Sequence, residues 1–145
     1  MNNQKGFTLI EILIVLSTLS ILLVIGASLQ TNTYDTYQLN RWYQLFESDV
    51  LYMQQQTLLK RNNLYLIIKP DTKSYEIRQG GRGKVLVERQ IPHNWEVKLY
   101  TLSMPLSFSI QGTIKEPGMF LIIIDDKEFA IYFPFGKGRS YIVER

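Results

Sequence analysis

Lys5-Gly6-Phe7-Thr8-Leu9-Ile10-Glu11 is the stretch that decides how this chain folds and where it goes. A basic leader ends in Gly6, and an apolar run begins abruptly at Phe7 and reaches Ile25. As a helix its 19 residues would span about 28 Å, close to the roughly 30 Å hydrocarbon core of a bilayer. Thr8, Ser17, Thr18 and Ser20 do not forbid insertion, because hydroxyls bond back to carbonyls of the preceding turn. Glu11 is the one charge within the run. An acid in a membrane helix is costly and usually functional.

Two other readings compete for this segment. A cleaved secretory signal needs a short apolar core followed by a small-x-small site. Gly26-Ala27-Ser28 loosely supplies the site, but an acid is out of place in the core. A plain signal-anchor explains length and orientation, but not the succession from Gly6 to Glu11. Lys5 precedes the run, and the next basic residue is Arg41. That asymmetry keeps the N-terminus cytoplasmic and sends the remainder outward, as a single-pass protein of the cell membrane.

The chain has 145 residues, room for one small domain beside a membrane helix. All but Lys5 of its 16 Lys and Arg, and all but Glu11 of its 13 Asp and Glu, lie beyond Leu29, for a net charge of +3. That mild basicity is compatible with anionic polymers without demonstrating a contact. Cysteine is absent, so the outer part folds without disulfides.

From Leu39 the apolar positions follow helical spacing. Leu39, Trp42, Tyr43, Phe46, Val50, Met53 and Thr57 form one stripe, with Arg41, Gln44, Glu47, Ser48, Gln54 and Gln55 on the other face. No proline precedes Pro70, so nothing forces a break between Phe7 and about residue 61. Residues 30–36 are polar and partly β-branched, and read equally as continuous helix or loosened joint. Asn62-Asn63 is expected to end the helix through a left-handed backbone. The period then changes to two. Strands are expected at 64–69, 75–78, 84–90, 96–99, 106–110, 119–124, 128–133 and 140–143. Turns are expected at Pro70-Asp71-Thr72-Lys73, Gly80-Gly81-Arg82-Gly83, Pro117-Gly118, Asp125-Asp126-Lys127 and Gly136-Lys137-Gly138. The predicted class is α+β: a long N-terminal helix, with a membrane half and an amphipathic half, packed on a C-terminal antiparallel β domain. The division is leader 1–6, membrane or filament-core helix 7–29, amphipathic helix 30–62 and β domain 63–145.

No constellation marks an enzyme, a cofactor or a metal. Gly80-Gly81-Arg82-Gly83 lacks the strand-to-helix junction and the Gly-Lys-Ser/Thr ending of a phosphate loop. Asp125-Asp126 offers too few oxygens for calcium. His93, the single histidine, has no second ligand or nucleophile to serve.

Gly6-Phe7-Thr8-Leu9-Ile10-Glu11 resembles the class III signal of type IV pilins and pseudopilins. The helix-then-sheet order extends the resemblance over the whole chain. Leu106-Ser107-Phe108, Gly112, Pro117-Gly118, residues 119–124 and 129–133, Gly136-Lys137-Gly138-Arg139 and Val143-Glu144-Arg145 are similar to the C-terminal half of H-type minor pseudopilins. The ending Gly136-Lys137-Gly138-Arg139 with Val143-Glu144-Arg145, together with Gln54-Gln55-Gln56-Thr57, is similar to competence pseudopilins of the ComGD type. One departure is the absence of the proline that many major pilins carry midway along the apolar half. If part of the helix melts on assembly, 26–33 is the expected place.

The resemblance implies a non-enzymatic minor pseudopilin, a structural subunit of the competence pseudopilus for transforming DNA uptake. The alternatives are a minor pseudopilin of type II secretion, a minor type IV pilin, or a DNA receptor carried on such a filament. It implies cleavage between Gly6 and Phe7 by a prepilin peptidase and methylation of Phe7. Glu11 would pair with the new amine of Phe7 on a neighbouring subunit, in place of capping its own helix or becoming protonated. The implied partners are other pseudopilins, the peptidase, an inner-membrane assembly platform and its motor, membrane lipid before assembly, and a surface filament afterwards. Lys137, Arg139 and Arg145 lie near Tyr132, Phe133, Phe135 and Tyr141. Interleaved cations and aromatics suit nucleic acid; solvated edge charges beside core aromatics account for them equally.

Overall fold

The computed structural model describes residues 8–145 other than Arg61, Gly81, Arg82 and Lys137, with the backbone alone for 27–33. One helix, α1, runs Leu9–Lys60. Seven strands follow: β1 Leu64–Lys69, β2 Ser74–Gln79, β3 Val85–Gln90, β4 Glu96–Lys98, β5 Gly118–Ile124, β6 Lys127–Phe133 and β7 Tyr141–Glu144. They form two antiparallel sheets, ordered β1-β2-β3 and β4-β5-β6-β7. The chain is thus α+β, and it divides into two compact units, Met1–Asn40 and Arg41–Arg145.

In the first unit, Leu9–Gly26 has a mean hydropathy of 2.6 and no buried residue, and is long and apolar enough to cross a membrane. Its hydroxyls are satisfied within the helix. Ser17 Oγ donates to the Ile14 carbonyl at 2.8 Å, Thr18 Oγ1 to Val15 at 2.9 Å and Ser20 Oγ to Leu16 at 2.8 Å. The backbone of 27–33 is helical, so of the two readings of residues 30–36 the continuous helix is the one found.

In the second unit, the helix supplies the apolar face that both sheets bury. Trp42, Tyr43, Phe46, Val50, Met53 and Thr57 are all buried, as the spacing predicts, and Leu39 is buried too. Phe46 is fully enclosed. It meets Tyr75 of β2 edge to face at 5.1 Å, and Phe120 of β5 and Phe133 of β6 at 5.7 and 6.2 Å. One helical side chain therefore joins two sheets that share no strand. Burial of a ring this size contributes about 1.5–3 kcal/mol, with a further 0.5–1.5 kcal/mol for each well-placed aromatic pair.

Turn chemistry sets the strand registers. Asp125, at φ 51°, heads the two-residue loop that pairs Ile124 with Lys127. Lys73, at φ 48°, closes the β1–β2 turn. Gly118 admits no side chain: a Cβ there would lie 2.6 Å from the Thr101 carbonyl oxygen and 2.8 Å from Leu102 Cα.

Two expectations need correction. Residues 106–110 form no strand. Leu106 bridges Leu66, and Phe108 bridges Ile114. The alternation is real, since Leu106 and Phe108 are both buried, but successive residues meet different segments, so no ladder forms. The helix ends at Lys60, and Asn63 is not left-handed; among the described non-glycine residues that conformation falls at Lys73 and Asp125.

Candidate functional site

Gly6, Phe7 and Lys137 lie outside the described residues. Glu11 sits in the first turn of α1 and is exposed. Its Oε2 is 3.5 Å from both the backbone N–H and the hydroxyl of Thr8, and the Thr8 carbonyl accepts the N–H groups of Glu11 and Ile12 at 3.1 and 3.3 Å. Thr8 is therefore the N-cap and Glu11 the third helical residue, in the Thr-x-x-Glu spacing of a capping box of which only the carboxylate arm is seen. The sequence reading gave capping of its own helix as an alternative for Glu11, without naming Thr8 as the partner. At 3.5 Å the carboxylate contacts are long. The carboxylate is held loosely by its own helix and is open to a stronger cationic partner.

The C-terminal candidates are only partly brought together. Arg139 and Arg145 are exposed. Tyr132 stacks on Tyr141 at 5.1 Å on adjacent strands, while Phe133 turns into the core and Phe135 is 87% exposed. Acids are interspersed: Glu144 lies 3.8 Å from Lys127. The patch is mixed in sign. Asp125 and Asp126 occupy their tight turn.

The polar groups that fix the domain are ones the sequence did not single out. Asp49, buried on α1, accepts from Tyr75 Oη at 2.9 Å and Arg89 Nε at 3.1 Å, pinning β2 and β3 to the helix. Burial and the Asp49 carboxylate push the Tyr75 phenol upward, and the Asp49 hydrogen bond raises Arg89. Tyr43 and Ser140 share a hydrogen bond at 3.2 Å; burial drives the Tyr43 phenol up, only partly offset by that bond. Gln54 donates to the Gly112 carbonyl at 2.6 Å. The glutamine stretch on the helix and the Gly112 turn thus touch, although 58 residues separate them.

Glu76 is 3% exposed yet lies on the face of the three-stranded sheet opposite Leu66 and Ile77. Lys69 Nζ is 3.0 Å from its Oε2, and Arg78 Nη2 donates to the same oxygen at 3.1 Å. Arg78 Nε is 2.6 Å from Oε1 but is misaligned for a hydrogen bond, so that contact is electrostatic. Burial pushes Glu76 upward, but the hydrogen bonds and charges of Arg78 and Lys69 outweigh it and hold the carboxyl below its usual range.

Residues 1–27 match the prokaryotic N-terminal methylation motif. Over 112 residues the chain is 29% identical to Competence protein ComGD of Bacillus subtilis (strain 168), covering 77% of this chain and 75% of that one. Its fold is similar to that of the minor pseudopilin EpsH from the type 2 secretion system of Vibrio cholerae. The TM-score is 0.54 over 69% of this chain and 91% of that one, and at 14% identity the likeness is one of fold. A methylation motif leading into one long helix, followed by antiparallel sheets packed on that helix, defines a type IV pilin-like protein. Within that class the chain is similar over most of its length to Competence protein ComGD, and its fold is similar to that of a minor pseudopilin.

Proposed function

We propose that this chain is a structural, non-catalytic minor subunit of a competence pseudopilus that serves DNA uptake. The observation that carries the reading is the 112-residue similarity to Competence protein ComGD, which extends well beyond the N-terminal motif. A prepilin peptidase would remove residues 1–6 between Gly6 and Phe7, and Phe7 would be methylated. The apolar half of α1 would hold the precursor in the membrane as a single span with its N-terminus cytoplasmic. An assembly platform and its motor would then draw it into a surface filament with other pseudopilins. Glu11 would exchange its weak Thr8 contacts for the free amine of Phe7 on a neighbour. An amine and a carboxylate each unpaired in low dielectric cost several kcal/mol, so the exchange would set subunit register.

The direct test is loss of the chain from its own cell. Uptake of labelled DNA should fall while protein secretion is unchanged; the reverse outcome would support the type II secretion reading, which the EpsH fold likeness favours. Co-expression with a prepilin peptidase should shorten the chain by residues 1–6 on intact-mass analysis, and Gly6→Val should block that. Glu11→Val should insert and be cleaved but be depleted from sheared filaments. The mixed charge around Arg139 and Arg145 favours scaffold over DNA receptor. Sub-micromolar DNA binding by the protein, weakening with salt and lost on reversal of Lys137, Arg139 and Arg145, would reverse that preference.

A further inference from the structure

The margins of the two sheets differ in how they are closed. The outer edge of β1 is occupied: Leu66 and Leu106 exchange two backbone hydrogen bonds of 2.9 Å, and the Ile68 N–H reaches Met104 Sδ at 3.5 Å. β4 is only three residues long, with Glu96 and Lys98 at its ends. β3 is different. It has six residues, none of them buried, and among the described residues it pairs only with β2. Its register shifts beside Leu86, which has no partner in β2 and is 39% exposed. The Arg89–Asp49 hydrogen bond fastens this strand to the helix, so the free edge is held in place. A free edge of this kind is a template for another strand.

The sequence at that edge is Lys84-Val85-Leu86-Val87-Glu88. Read against a second copy of itself in the antiparallel sense, it is self-complementary. A two-fold axis at Leu86 sets Leu86 opposite Leu86, Val85 opposite Val87 twice, and Lys84 opposite Glu88 twice. Such an axis, perpendicular to the sheet, keeps each face of one copy continuous with the same face of the other, as an isologous joint requires. β7 lacks this property: centring it on Ile142 sets Arg139 against Arg145. We propose that β3 is a self-pairing edge, through which two copies of this chain join their three-stranded sheets into one six-stranded sheet. The occupant argued for is a second copy, because the charge order of this edge matches its own antiparallel copy at both ends. Lysine and glutamate on an edge commonly repel stray strands, and a bulge raises local twist and keeps the ladder short. The consequence is a selective, modest joint in place of an open-ended one. It does not depend on the competence reading.

The chain has no cysteine, which makes the test direct. The full-length protein in membranes, carrying Leu86→Cys, should form a disulfide-linked dimer under mild oxidation. A control with Phe135→Cys, at an 87% exposed position, should not. Adding Lys84→Glu or Glu88→Lys should each lower the dimer yield about fivefold, because two cross-strand attractions become repulsions. Combining both changes should restore it. Without any cysteine, the detergent-solubilised wild type should be dimeric by mass, and each single charge variant monomeric. The proposal fails if Leu86→Cys links no better than Phe135→Cys, if it links instead to a different protein, if the charge swap does not rescue, or if the wild type is monomeric.

Discussion

Residues 9–26 and the stretch of α1 from Arg41 onward share a backbone conformation and almost nothing else. The first stretch is apolar on every side, with no residue buried. The second concentrates its large apolar groups on one stripe, and Phe46 and Met53 there lose all contact with solvent. A helix that is apolar all round requires an apolar medium from outside itself, whereas an amphipathic one finds its medium within its own domain. One continuous element is thus prepared for two solvents, and the change occurs without a proline or a break in the backbone.

Substitutions should separate the two stretches sharply. Phe46→Ala is expected to cost about 3–5 kcal/mol, and Trp42→Ala a similar amount. Chemical denaturation followed by circular dichroism would measure both, and an unchanged midpoint would break the contrast. Asp49→Ala should cost roughly 1–3 kcal/mol, since it strands the buried Tyr75 hydroxyl; Tyr75→Phe should cost less, because it removes donor and desolvation penalty together. Glu76 adds a pH signature. Its folded value is depressed, so its contribution is present above the ordinary glutamate value of 4.5 and is lost as pH falls through the lower folded value. The stability difference between wild type and Glu76→Gln should therefore shrink below about pH 4.5 and stay constant between pH 6 and 8. Leu16→Ala completes the series with no expected shift in the unfolding midpoint of the sheets, and a measurable shift would show that the two stretches are energetically coupled. A chain beginning at Leu39 should fold without the apolar run, and a disordered spectrum would argue against an independent core.

Most elements were legible because they rest on periodicity. The buried stripe follows a spacing of 3.6 residues and the strands a spacing of two, with turn residues between them. Strand 106–110 failed for an instructive reason. Its alternation correctly marked the buried side, but a strand also needs a continuous partner, and Leu106 and Phe108 divide theirs between Leu66 and Ile114. The same limit hid Asp49, Glu76 and the Gln54–Gly112 contact. Local pattern says which way a residue faces, while its partner 26 or 58 positions away is set by how the layers stack. Glu76 is the extreme instance, a carboxylate enclosed on the face away from Leu66 and Ile77 by Lys69 of the neighbouring strand and Arg78 of its own. At the N-terminus capping by Glu11 was read from the sequence as an alternative, and the structure adds Thr8 as its partner.

The placement of the tryptophans has an optical consequence. The chain contains two, Trp42 and Trp95, and they meet edge to face with ring centroids 5.7 Å apart. Both are buried, and neither indole N–H has an acceptor within reach. Tryptophan emission therefore originates from one spot in the core, where the helix meets the sheets. The two transitions are close enough to couple, so near-ultraviolet circular dichroism should carry an exciton-type signature that vanishes when either ring is replaced. Emission should be blue-shifted and indifferent to quenchers added from lipid or water. The protein thus carries a built-in gauge that is silent about the first 26 residues, and a spectral change on addition of a partner would report strain transmitted to this one junction.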